Sequence, residues 1–161
     1  MNAWIEEHAD EQLELLKTLA AIPSPSHDEG RRVDFLLNWL QGIGIENAYA
    51  DEAKNVIVPF AGPDAEGITI YTAHTDIVQP DTVPLPVVQE GDLLKAPGVG
   101  DDTANVVGIL MLLKYIQEKG LQPKEPVLFV LNSCEEGLGN LKGIRQIMKD
   151  FGDRTKEHIS F

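Results

Sequence analysis

Apolar residues recur at helical spacing through Trp4, Ile5, Leu13, Leu16 and Leu19, until Ile22-Pro23-Ser24-Pro25, where proline forbids continuation. One amphipathic helix is predicted there. Ser26 with Glu29 three residues on reads as a capping box, and Val33, Leu36, Leu37 and Leu40 line one face of a second helix stopped by Gly42 and Gly44. Residues 55–60 and 68–73 read as strands, the second β-branched, with Gly62-Pro63-Asp64 as the turn between them, so a strand-turn-strand unit is expected. Val87 to Leu94, broken by Glu90-Gly91-Asp92, predicts a small hairpin, and Pro97-Gly98-Val99-Gly100 an irregular loop.

From Thr103 to Lys119 the pattern is apolar on several faces, as in a helix packed on a sheet beneath other elements, and Gly120 and Pro123 close it. Val127 to Leu131 is an unbroken hydrophobic run, the mark of an interior parallel strand covered on both sides. Gly137, Gly139 and Gly143 are expected to loosen the loop that follows, Ile144 to Phe151 returns to helix, and Ile159-Ser160-Phe161 opens another strand. Strands alternating with helices imply an α/β fold, a three-layer sandwich around a mainly parallel central sheet. Sheets of this kind place their sites at the carboxyl ends of the strands.

Composition narrows the function. The 161 residues, 43% of them hydrophobic, are enough to bury a core. A net charge of −13 with no basic stripe argues against nucleic acid and anionic membrane as partners. A single cysteine, Cys134, allows no internal disulfide, and the longest greasy stretch, Val106 to Leu113, is far short of the roughly 20 residues that span a bilayer. Residues 1–7 hold two acids and no basic leader, so a cytoplasmic location is expected.

Three clusters carry the chemistry: His74-Thr75-Asp76, Gly100-Asp101-Asp102 and Cys134-Glu135-Glu136-Gly137. Two follow strands and one precedes the apolar helix. Imidazole and carboxylate are ligands for zinc, cobalt or manganese, and an acid doublet lets one member hold metal while its neighbour moves protons. Each cluster also has a plain explanation. A lone histidine is more often a satisfied polar residue, Asp101-Asp102 could be the acidic start of a helix, and Glu135-Glu136 a solvated loop. Their coincidence points to a two-metal hydrolase. A two-metal phosphoesterase uses the same ligand types, although its extra histidines and phosphate clamps are not visible. A non-catalytic half-site module is the third reading.

In order, spacing and strand context these clusters resemble the dinuclear zinc exopeptidase and deacylase family that includes aminoacylase, carboxypeptidase G, peptidase T, acetylornithine deacetylase and succinyl-diaminopimelate desuccinylase. Ile22-Pro23-Ser24-Pro25-Ser26 looks like that family's N-terminal signature. The resemblance implies hydrolysis of amide bonds in a peptide or an N-acyl amino acid by a metal-activated water. It implies two divalent ions, zinc first, with His74 on one, Asp101 bridging both and Glu136 on the other. Asp76 would orient His74, and Glu135 would be the general base.

The chain departs from the family pattern at Thr103 and Asn105, where many relatives carry lysine and glycine. Relatives are also more than twice as long, with a further acidic ligand past the strand that begins at Ile159, an inserted lid or dimerisation domain and a late histidine. The expectation is therefore that residues 1–161 are the N-terminal portion of a catalytic domain, with each metal one ligand short and the chain inactive alone. An open sheet edge would favour self-association or a missing C-terminal segment. His8, His27 and His158 are read as surface residues.

Overall fold

Strand side chains alternate between the two faces of a sheet, so a strand covered on both sides is apolar throughout. Val127–Asn132 is such a strand, buried from Leu128 onward. In the computed structural model, which describes residues 1–62 and 64–161, it lies at the centre of a five-stranded sheet. In chain order the elements are α1 (Asn2–Glu7), α2 (Ala9–Ala21), α3 (Gly30–Gly42), β1 (Tyr49–Ala50), β2 (Val56–Phe60), β3 (Ile68–His74), β4 (Val88–Glu90), β5 (Leu93–Lys95), α4 (Ala104–Glu118), β6 (Val127–Asn132), α5 (Lys142–Phe151) and β7 (Thr155–Ser160). The sheet order is β1-β2-β6-β3-β7, and β4 and β5 form the separate expected hairpin. β3 runs parallel to both β6 and β7, β2 is antiparallel to β6, and β1 is antiparallel to β2.

Alternation separates two cores. Val56, Val58, Ala73, Phe129 and Leu131 face the layer of α2, α3 and α4, meeting Leu19, Leu36, Leu40, Leu110 and Leu113. Ile57, Ile68, Ile70, Leu128 and Val130 face the opposite way, against Ile147, Ile144 and Phe151 of α5. Helix, sheet and helix make the expected three-layer α/β sandwich.

Four local expectations are corrected. The first helix is two, because His8 leaves helical geometry (φ −110°, ψ 12°) and its ring stacks 4.0 Å over Trp4. β2 and β3 do not pair as a strand-turn-strand unit; β6 lies between them, since the apolar α4 crossover returns the chain to the middle of the sheet. The intervening Gly62-Pro63-Asp64 turn centres on Pro63, which lies outside the described residues. The capping box is absent: Glu29 itself caps α3, with no side-chain cap bond, and both predicted partners bond elsewhere. Finally, two of the three glycines after β6, Gly139 and Gly143, are packing glycines, while Gly137 (φ 36°) stands in open space. A Cβ on Gly143 would lie 2.3 Å from the Ser133 carbonyl oxygen, and one on Gly139 would lie 2.6 Å from the Cys134 backbone. No helix among the described residues is long and apolar enough to cross a membrane.

Candidate metal centre

Because β3 and β6 are parallel neighbours with His74 in register with Asn132, their following loops emerge side by side. Beyond Asn132 the chain turns at Cys134, which adopts φ 52°, and presents Glu135 and Glu136 toward His74. The irregular segment Val99–Thr103 before α4 brings in Asp101 and Asp102. Donor atoms of His74, Glu135 and Glu136 lie within 4.8 Å of one another. His74 Nε2 is 3.0 Å from Asp101 Oδ1 and 3.8 Å from Glu135 Oε2. Asp101 thus reaches the group through the imidazole, while Glu135 stands as close as a ligand would.

Asp76 does more than face His74. His74 Nδ1 lies 3.0 Å from the Asp76 backbone carbonyl and 3.6 Å from its carboxylate, so the main chain is the nearer acceptor. The fully buried Asp76 carboxylate accepts the Glu135 N–H at 2.9 Å, the Glu136 N–H at 3.0 Å and the Ser26 hydroxyl at 2.7 Å. It therefore holds the acid doublet in place. Asp102 has a similar task, accepting the His74 N–H at 2.9 Å and the Asn105 amide at 2.6 Å.

Three supporting residues were not identified from the pattern. Ser26 fits a helix-capping pattern in the sequence, yet its hydroxyl donates to Asp76. Arg32, fully buried, donates to the Ile22 carbonyl at 2.9 Å, the Thr75 carbonyl at 3.0 Å and the Thr103 hydroxyl at 3.1 Å, tying together the segments that carry Ser26, His74 and Asp102. Glu29, also fully buried, accepts the Cys134 thiol at 3.0 Å and the His27 N–H at 2.8 Å, with Lys54 Nζ 3.6 Å away. A charged residue on a helix face otherwise rich in leucine was the available signal for Arg32. The three other histidines are not all idle: His8 packs on Trp4, His27 Nε2 lies 3.2 Å from the Leu138 carbonyl, and His158 Nε2 lies 3.0 Å from Thr72 Oγ1.

The charges are strongly coupled. Burial alone would lower the His74 pKa, but hydrogen bonds to Asp76 and Asp101 and the nearby charge of Asp102 override it and raise it to about 9. Burial would raise Asp76, yet its hydrogen bonds from His74, Ser26, Glu135 and Glu136 hold it below the usual carboxylate range. Glu136 is pushed up by burial and by Asp101, with Glu135 and Asp76 adding to it. Burial and the Glu29 carboxylate raise Cys134 to about 11, which leaves a neutral thiol. Carboxylates crowded about one imidazole gain from a positive charge among them, and imidazole with carboxylate oxygens is the donor set of zinc, cobalt or manganese sites. The residues fit a metal.

Comparison with known proteins agrees with this architecture. A Pyrobaculum aerophilum protein described as a LysW-lysine/LysW-ornithine hydrolase is 35% identical over 97 residues, which is 60% of this chain and 27% of that one. Human carnosine dipeptidase 1 superposes with a TM-score of 0.73 at 16% identity, covering 94% of this chain and 37% of that chain. A metallo-carboxypeptidase of Sulfolobus solfataricus gives 0.67 at 18% identity, covering 93% and 37%. A dinuclear metal-binding peptidase of Bacillus subtilis gives 0.63 at 18% identity, covering 96% and 43%. At these identities the solved structures speak for the fold, and the chain spans less than half the length of each of these four proteins. Residues 70–161, from β3 to the end of the chain and including every one of the clustered acids, match Peptidase family M20/M25/M40, and the chain belongs to that family.

Proposed function

We propose that the cluster at the ends of β3 and β6 is the metal centre of an amide-bond hydrolase, either an exopeptidase or a deacylase of N-acyl amino acids. The observation that carries this reading is one imidazole and two carboxylates with donor atoms within 4.8 Å, with Asp101 against the same imidazole. His74, Asp101 and Glu136 would hold two divalent cations, zinc first and cobalt or manganese as alternatives, with Asp101 shared. When bound, such ions polarise an amide carbonyl and lower the pKa of a water toward about 7.

The side chains divide the remaining work. An Nδ1–H on His74 donating to the Asp76 carbonyl leaves the Nε2 lone pair free to coordinate. Glu135, with 41% of its side chain exposed, has the freedom to take a proton from water and pass it to the leaving nitrogen. Asp76 keeps Glu135 and Glu136 in register through their amides. The products are an amine and a carboxylate. Membership of a peptidase family favours this reading over phosphoester hydrolysis.

We further propose that residues 1–161 are the N-terminal portion of the catalytic domain, which is consistent with their covering 37–43% of three solved relatives. On this view the chain binds metal but does not turn over substrate by itself, and the lid and the C-terminal ligands belong to the remainder of the relatives' length. Zinc titration by calorimetry, paired with assays on a dipeptide and an N-acetyl amino acid, tests both statements. The expected result is saturable binding that His74→Ala abolishes, without hydrolysis. Absence of binding would overturn the metal reading, and turnover by these residues alone would overturn the proposed incompleteness.

A further inference from the structure

Beside Glu136 the surface sinks into a cavity of about 320 Å³ whose walls are mainly apolar, with Ser26 and His27 on one side. Its floor is Ile77, only 1% exposed, and its sides include Pro25, Val78, Pro80 and Leu138. Val78 and Leu138 are 72% and 92% exposed, among the most open large apolar side chains in the described chain, and both border this one cavity. A single exposed leucine is ordinary, but two apolar side chains flanking a depression that ends at a candidate metal ligand form a binding surface.

The pocket is built rigidly. Pro25 pairs with Ile77 in an isolated parallel bridge, and the Ile77 N–H donates to the Ser24 carbonyl at 2.9 Å, so the Pro-rich segment and the end of β3 are joined. Gly98 packs so closely that a Cβ there would lie 2.2 Å from Ile77 Cγ2, which fixes the floor from behind. Ser26, in the same wall, bonds to Asp76, and His27 reaches the Leu138 carbonyl. The contacts that position the acid doublet thus also shape the cavity.

We propose that this cavity receives an uncharged, apolar side chain of the substrate residue adjoining the scissile amide. The inference rests on the amide-hydrolase reading above and adds the class of side chain. Among the described residues no lysine or arginine lines the cavity and Glu136 is its one carboxylate; His27 is the single titratable base in the lining, and its Nε2 already faces the Leu138 carbonyl, so an acidic side chain meets like charge without a fixed cation to offset it. An apolar side chain of leucine size displaces water from Ile77, Val78 and Leu138 and needs no polar partner.

The test uses the zinc-loaded chain and amino acid hydroxamates, whose headgroup chelates metal while the side chain probes the cavity. Calorimetry should show leucine hydroxamate binding about 10-fold or more tighter than glycine hydroxamate, and aspartic acid α-hydroxamate binding more weakly than glycine hydroxamate. The double variant Val78→Ser, Leu138→Ser, altered only at exposed positions, should reduce the leucine advantage to less than about 3-fold. Its affinities for zinc and for glycine hydroxamate should be unchanged. Equal binding of leucine and glycine hydroxamates by zinc-loaded protein would overturn the pocket and leave the metal centre standing. Failure of zinc to bind at all would overturn the metal reading and the pocket with it.

Discussion

Replacing Asp76 with Asn keeps size and shape while removing one acceptor, and the surroundings of Asp76 make the consequence calculable. One carboxylate oxygen accepts from Glu135 N–H, and the other from Glu136 N–H and the Ser26 hydroxyl. Whichever way the amide is turned, its NH2 faces a backbone N–H. At least one part-buried donor loses its partner, a loss of roughly 1–3 kcal/mol, and the surviving bonds lose their ionic character. Burial of the charge works in the opposite direction. Because the folded pKa of Asp76 lies below its ordinary value, the hydrogen bonds outweigh burial, and the carboxylate stabilises the fold above its unfolded pKa near 3.8. The net expectation is destabilisation of about 2–4 kcal/mol at pH 7, or a Tm lower by roughly 5–15 °C for a chain of this size. That difference should shrink as the pH falls through the folded pKa of Asp76. Thermal unfolding followed by circular dichroism measures the first effect. NMR titration measures a second: His74, losing one of the groups that hold its proton, should titrate below about 9. Zinc affinity should fall about 10–100-fold, as for the loss of a group that orients a ligand. A variant melting with the wild type and titrating unchanged at His74 would refute the role given to Asp76.

Three further outcomes follow from the same geometry. Glu136→Gln should weaken zinc binding by at least about 10-fold while Glu135→Gln changes it by less than about 3-fold, and calorimetry showing the reverse order would exchange the ligand and base assignments. Arg32→Met should destabilise by about 2–4 kcal/mol in urea unfolding, since the Ile22 and Thr75 carbonyls lose their donor, whereas a neutral result would show that the cost of burying the cation balanced its bonds. With a chelator present, His74 contributes stability that is complete below its unfolded pKa of about 6.5 and is lost as pH rises through about 9. Urea midpoints should therefore decline across that window through a contribution of up to about 3 kcal/mol, and a flat profile would contradict a protonated His74.

The parts of the fold that could be read from the chain are those set by local pattern. Val127 to Leu131 declared a central strand because a strand covered on both faces is apolar at every position, and His74, Asp101 and Glu135-Glu136 stood out as candidates by their places beside such elements. Non-local pairing was hidden. The insertion of β6 between β2 and β3 depends on a crossover, not on any residue in the strands themselves. Ser26 and Glu29 show the same limit from the opposite side. Their spacing satisfies a helix-capping pattern, but Asp76, 50 residues away, and Cys134, 105 residues away, offer buried partners that outcompete the helix end. Gly139 and Gly143 misled for a related reason, since close approach and flexibility favour the same residue and only the packed neighbour distinguishes them.

The convergence of His74, Asp101 and Glu136 on a metal, with Glu135 beside it, is tested most directly by anomalous diffraction at the zinc edge from crystals of the zinc-loaded chain. The expected result is a peak about 2.0–2.2 Å from His74 Nε2 and from a carboxylate oxygen of Asp101 or Glu136. Ordered zinc found only on unrelated surface acids, with His74 still bonded to Asp101 and no ion between them, would contradict it.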